Sequence, residues 1–279
     1  SIDRQCVGGL DAILLARALV DSGAARCVVA GGVESYSRRP LRLATDPQGG
    51  PPVPYDQPPF TPWPDRDPPM AEAAAALALR LGISRARQEA WAIDSHAKAL
   101  AAETRLRAEI VELAGQRRDS FARRLTPGLV ARAKVVAGSI TAATAAVAAD
   151  AAAFVLVMRG GDGMRILGGA TLGAQPDEPG LAPVPAIAAT LAGAGLRPAD
   201  LATIEMMEAY AVQAIACIEG AGLGSDQINS GGGALARGHP IGASGAILAV
   251  RLFHDLRQGH GLAAIAAAGG LGTAFLVAR

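Results

Sequence analysis

Residues 229–245 read Asn-Ser-Gly-Gly-Gly-Ala-Leu-Ala-Arg-Gly-His-Pro-Ile-Gly-Ala-Ser-Gly, and no other stretch constrains the chain as strongly. Glycine recurs at 231, 232, 233, 238, 242 and 245, around a single imidazole, His239. Glycine permits positive φ and close backbone approach. Pro240 fixes the backbone after the histidine. The following residues, Ala246 to Leu256, are apolar at helical spacing. A rigid glycine-lined turn therefore presents one histidine at the mouth of a buried helix. A plain connector would not need so much glycine. The stretch is not a dinucleotide fingerprint, because Gly-Gly-Gly-Ala-Leu-Ala breaks the Gly-x-Gly-x-x-Gly order. Ser244 is not a nucleophile elbow, because Ala246 stands where the second glycine belongs.

Composition narrows the class. The chain has 279 residues, 51% hydrophobic and 18% charged, enough for a large core or two packed half-domains. A net charge of +1 gives no global field favouring nucleic acid or a membrane surface. Aromatic residues are 4%, while Ala and Gly abound, as in alternating strand and helix layers whose backbones pack closely. The three cysteines, Cys6, Cys27 and Cys217, are irregularly spaced. They suit a reducing compartment and imply no metal site. No signal peptide and no apolar run of transmembrane length is expected.

Taken in order, Ser1–Cys6 reads as a strand in progress. A helix follows, with Leu10, Ile13, Leu14, Ala18 and Leu19 on its apolar face, ended by Asp21-Ser22-Gly23. Cys27–Gly32 reads as a short buried strand. Cys6 thus sits at a strand-to-helix turn, where the helix dipole and free N–H groups would stabilise a thiolate. Cys27 and Cys217 read as small buried hydrophobes. From Arg39 to Pro69, eleven of thirty-one residues are proline, which predicts an irregular excursion. Helices are predicted over Met70–Leu81 and Ser84–Ala108, the second capped by Ser84. Arg117, Arg118, Arg123, Arg124, Arg132 and Lys134 read equally as a solvated basic face or as a phosphate site. A buried strand is predicted over Ala151–Met158 and a helix over Pro183–Gly195. The final glycine turn, helix, strand Gly261–Ala268 and Gly269-Gly270 echo the turn, helix, strand and Gly31-Gly32 near the start. That repetition predicts two related halves, each a parallel strand set crossed by helices, with both helix N-termini aimed at one site.

The histidine stretch, of the form Gly-Gly-Gly-x-x-x-x-Gly-His-Pro-x-Gly-x-Ser-Gly, resembles the histidine loop of the thiolase superfamily, which makes and cleaves β-ketoacyl-CoA thioesters. Gln5-Cys6-Val7-Gly8-Gly9-Leu10 resembles its nucleophile segment, with Val7 and Gly8 in place of the usual small residue and serine. Glu208-Ala-Tyr-Ala211 is similar to its Asn-Glu-Ala-Phe-Ala motif, with Met207 in place of the asparagine. The resemblance covers nearly the whole chain, without the usual βα units before the cysteine strand. It implies an α/β thiolase fold, two similar βαβ halves in five layers (α/β/α/β/α) with an inserted loop domain. The halves would be 1–38 with 137–160, and 161–279; the loop domain would be 39–136.

The resemblance also implies a chemistry. Cys6 would carry the acyl group of a coenzyme A thioester, and His239 would polarise it. Glu208, Ala209, Ala268 and Gly269 would support the oxyanion and pocket. The family's second cysteine, the base for condensation, aligns with Ala266, so Claisen chemistry is in doubt while acylation survives. The asparagine and serine that family members place near the pantetheine fall on Thr144 and Ala146. Implied partners are acyl-CoA and coenzyme A, with a homodimer or tetramer joined through a Ser1–Gln5 strand. No nucleic acid, membrane, metal or covalently bound cofactor is implied, and the setting is cytoplasmic fatty acid metabolism. The competing reading is a catalytically impaired thiolase-like protein that binds acyl-CoA or acts as a partner subunit.

Overall fold

A computed structural model describes residues 1–224 and 227–279. The chain forms α1 (Gly8–Asp21), β1 (Cys27–Ser35), a small hairpin of β2 (Arg42–Ala44) and β3 (Val53–Tyr55), then α2 (Met70–Leu81), α3 (Arg85–Ala101), α4 (Glu103–Leu106) and α5 (Pro127–Ala131). The short strands β4 (Val135–Ala137) and β5 (Ile140–Thr141) lead to β6 (Asp150–Met158), β7 (Arg165–Gly173), α6 (Pro183–Ala194) and β8 (Leu201–Met206). The chain closes with α7 (Ala211–Gly220), α8 (Ala234–Arg237), α9 (Ile241–Asp255), β9 (His260–Ala267) and β10 (Leu271–Ala278).

Two sheets sandwich α1 and α9. One holds β1 and β6; the other runs in the order β7-β10-β9-β8. β9 is buried along nearly its whole length, which suits its run of Ala, Gly, Leu and Ile between helical layers. Helix α6 packs on the outer side of the four-stranded sheet, beginning at Pro183 and capped by Gly195 at φ 66°. The outer face of the β1–β6 sheet exposes Val29, Val33, Phe154, Leu156 and Met158.

Several expectations change. Ser1–Gln5 is not a strand: Ser1–Arg4 is exposed irregular chain, and Gln5–Val7 is a 3₁₀ turn. Gln5 lies at φ 53°, which ends any extended run. The sheets are not parallel sets. β1 and β6 are antiparallel, as are β9–β10 and β10–β7, and only β8–β9 is parallel. Connection length accounts for the β9–β10 and β8–β9 pairs. β9 and β10 are joined by a tight turn that reverses the chain, whereas β8 and β9 are separated by three helices. The buried face of α1 runs through Gly9, Leu10, Ile13, Ala16 and Val20, while Leu15 and Leu19 are exposed. Cys27 is exposed at the start of β1, not buried. The proline-rich excursion is irregular except for a 3₁₀ turn at Pro64–Arg66 and the β2–β3 hairpin, where Pro54 opposes Leu43 at a sheet edge. The second predicted loop-domain helix breaks at Ala102 into α3 and α4, and Ser84 caps α3 by accepting from Arg87 N at 3.3 Å.

Helix α9 starts at Ile241, so Gly242 and Gly245 are helical rather than part of the turn. Their glycines serve close packing. A Cβ on Gly9 would lie 2.4 Å from Ala246 N, one on Gly245 2.6 Å from Leu10 N, and one on Gly32 2.0 Å from the Gly242 carbonyl. Backbones of α1, β1 and α9 therefore meet without intervening side chains. That crossing sets where the residues just before each helix must lie.

Candidate active site

Cys6 precedes α1 and His239 precedes α9, and the crossing brings them together. Cys6 Sγ lies 3.3 Å from His239 Nε2, across 233 residues of sequence. The histidine is fixed from behind. Ser244, one turn into α9, donates its hydroxyl proton to the Pro240 carbonyl at 2.9 Å. Its lone pairs are then left for the Nδ1–H of His239, 2.7 Å away. This tautomer leaves Nε2 as the acceptor facing the thiol. The backbone of His239 is held by its N–H to the Val147 carbonyl at 2.7 Å.

Electrostatics make the resting pair neutral. Burial pushes the Cys6 thiol up to about 12, opposed by its own backbone amide and reinforced by the Glu34 carboxylate. Burial pushes His239 down to about 4. The thiolate expected at a helix start is therefore not the resting species. Desolvation of the sulfur outweighs the stabilising pull of its own backbone amide. Glu34 is itself held by the Gly242 N–H at 3.0 Å, the first turn of α9.

Around this pair opens a cleft of about 1590 Å³. Ala146, Ala209, Tyr210, Ala266 and Ala268 line it together with Cys6 and His239. Glu208 points elsewhere. Its carboxylate is fully buried and accepts from Trp91 Nε1 (3.1 Å), Ser95 Oγ (2.7 Å), Asn229 Nδ2 (2.8 Å) and Leu235 N (3.3 Å). Burial raises its pKa and these four donors oppose the rise. Asn229 also clamps the end of β8, accepting from Met206 N and donating to the Met206 carbonyl. Gly233 is glycine because a Cβ there would sit 2.2 Å from the Glu208 carboxyl carbon. Glu208 thus joins α3 to the turn that carries His239. Gly269, at φ 76°, packs against the Phe60 carbonyl, not in the cleft lining. Thr144 is buried and bonded to Thr141, while Ala146 N donates to the Ala209 carbonyl.

None of the basic residues at 117, 118, 123, 124, 132 and 134 lines the cleft. Arg117 pairs with Glu112 and Arg118 with Glu103. The cations on the cleft wall are instead Arg4, Arg39 and Arg42. Ser244, Asn229, Ser95 and Trp91 escape a reading of the sequence. Ser244 alone carried a signal, as an i+5 hydroxyl after a histidine at a helix start.

Two family models match in tandem: the thiolase N-terminal domain over residues 1–161 and the thiolase C-terminal domain over 163–279. The chain belongs to the thiolase family. Among curated relatives, "Putative acetyl-CoA C-acetyltransferase YhfS" of Bacillus subtilis is 36% identical over 296 residues, covering 99% of this chain and 78% of its own. Among solved structures, Acat5 thiolase from Ascaris suum in complex with coenzyme A superposes with a TM-score of 0.91 at 29% identity. That match covers 100% of this chain and 78% of the other. The dimeric peroxisomal thiolase of Saccharomyces cerevisiae gives 0.86 at 26% identity, covering 100% and 75%. The thiolase fold of this chain is thereby shown. No helix among the described residues is long and apolar enough to cross a membrane.

Proposed function

We propose that this thiolase is an acyl-CoA acyltransferase that carries its acyl group on Cys6. The observation that carries the reading is the Cys6–His239 contact at 3.3 Å, with Nδ1 committed to Ser244. His239 Nε2 takes the thiol proton as the sulfur attacks the thioester carbonyl. The carbon–sulfur bond to coenzyme A then breaks, and the imidazolium returns the proton to the departing coenzyme A thiolate. Transfer coupled to attack suits a pair that is neutral at rest. The backbone at Ala268, on the cleft wall, supplies the oxyanion donor in this reading. Support for coenzyme A as the leaving group comes from the Ascaris thiolase, whose structure holds that molecule.

Condensation is the weak half of the reaction. Ala266, on the cleft wall, has no proton to exchange, and Met207 offers no polar group. These two residues favour the second reading, a thiolase-like protein that binds acyl-CoA or partners a catalytic subunit. Incubation with acetyl-CoA followed by intact-protein mass spectrometry separates the two. An acetyl adduct mapped to Cys6 supports the enzyme, and an unmodified protein supports the binder. A homodimer or tetramer belongs to the same proposal, supported by the dimeric yeast relative, as does a cytoplasmic setting. Light scattering tests it, and a stable monomer at micromolar concentration would count against it.

A further inference from the structure

The motif that resembles Asn-Glu-Ala-Phe-Ala differs here at two places. Met207 replaces the asparagine, and Tyr210 replaces the phenylalanine. Met207 is 2% exposed and packed in the core shared by Val7, Leu10 and Ala246. Its thioether offers no hydrogen-bond donor, and it lies outside the lining of the cleft around Cys6. Tyr210 adds the hydroxyl that phenylalanine lacks, on the wall of the cleft shared by Cys6, His239 and Ala266. Its backbone is fixed by the bridge to Ala145 and by the bonds of Ala146 and Ala211 on either side. Among the described residues no hydrogen bond reaches the Tyr210 hydroxyl, so it is available to a ligand.

We infer that the Tyr210 hydroxyl donates a hydrogen bond to the carbonyl oxygen of an acyl thioester bound between Cys6 and His239. Tyr210 is then a catalytic residue that stabilises negative charge on the acyl oxygen. It acts as a donor and not as a base: burial and the nearby Cys6 sulfur both raise its pKa, which keeps the phenol protonated.

The inference rests on the acyl-CoA reading above, and its test separates the two. Tyr210→Phe removes one oxygen and restores the family residue. Loss of a preorganised donor lowers rates on the order of 10²–10³. Acetylation of Cys6 by acetyl-CoA is expected to slow by that factor in Tyr210→Phe, with little change in KM. An unchanged rate in Tyr210→Phe would overturn the inference. The second readout needs no turnover. A coenzyme A analogue with a carbon-13 ketone in place of the thioester reports carbonyl hydrogen bonding by its chemical shift. The bound shift should move downfield in the natural protein and move back in Tyr210→Phe. Identical bound shifts in both proteins would overturn the donor role even if Cys6 is acylated. A shift difference without any acylation would keep Tyr210 as a donor and overturn the acyltransferase reading. Absence of binding would overturn both.

Discussion

Gly9 and Gly245 face one another where α1 crosses α9, each so close to the other helix that a Cβ would penetrate its backbone. The Cys6–His239 contact depends on this crossing. Cys6 stands three residues before Gly9, and His239 six before Gly245.

Gly9→Ala should therefore separate the helices. A Cβ at 2.4 Å from Ala246 N has only backbone to push against. The expected cost is about 1–3 kcal/mol of stability, with loss of Cys6 acetylation. Gly8 is the control, because a Cβ there meets nothing within 4 Å. Gly8→Ala should be neutral or stabilising by about 0.5–1 kcal/mol, since α1 begins there. Urea denaturation of both variants checks the contrast, and equal effects would sink it.

The neutral resting pair predicts a pH behaviour whose sign is fixed. His239 falls from 6.5 to about 4 on folding. Between those values the unfolded chain binds more protons, so stability rises with pH there and is lost as pH falls from 6.5 towards 4. His239→Asn should flatten that part of the profile by at most about 1.4 kcal/mol per pH unit. On the alkaline side, a thiol pushed up to about 12 gives no thiolate signal at neutral pH. Ultraviolet difference absorbance between the natural protein and Cys6→Ser should be flat near pH 7. A thiolate band at that pH would contradict the neutral pair.

Glu208 is a structural tie between α3 and the histidine turn. Glu208→Gln replaces a carboxylate oxygen by a donor that confronts Trp91, Ser95, Asn229 or Leu235 N. The expected cost is about 1–3 kcal/mol, read from the denaturation midpoint. Gly233→Ala should act in the same direction, because its Cβ would strike the same carboxylate. Unchanged midpoints in both variants would show that the cluster carries no stability.

Ala266 tests the missing base. It lines the cleft with Cys6, and a positioned base contributes about 10²–10⁴ in rate. Ala266→Cys should raise condensation of two acetyl-CoA molecules more than it raises acetylation of Cys6. Product formation and intact mass, measured side by side, give the two rates. Ordinary condensation by the natural protein would mean that another residue is the base.

Much of the site was legible in the sequence because its signals are local. A histidine before a proline, in a run of glycines ahead of an apolar helix, specifies a turn at a helix start whatever surrounds it. The proline-rich excursion, the Ser84 cap and the Gly195 stop are local in the same sense, since each depends on the dihedral or hydrogen-bonding habits of a few residues. What the tertiary structure decided are the quantities that need a neighbour from far along the chain. Only the α1–α9 crossing shows that Gly242 and Gly245 are helical and that their missing Cβ atoms are filled by backbone. Only burial turns Cys6 from the expected thiolate into a thiol. Strand direction was also beyond the sequence, because apolar runs specify burial and not the sense in which a partner lies. Ser244 and Asn229 look like ordinary loop residues until the fold sets one behind the His239 ring and the other between β8 and Glu208. A polar side chain's role is set by the partner it finds, and here those partners belong to the fold.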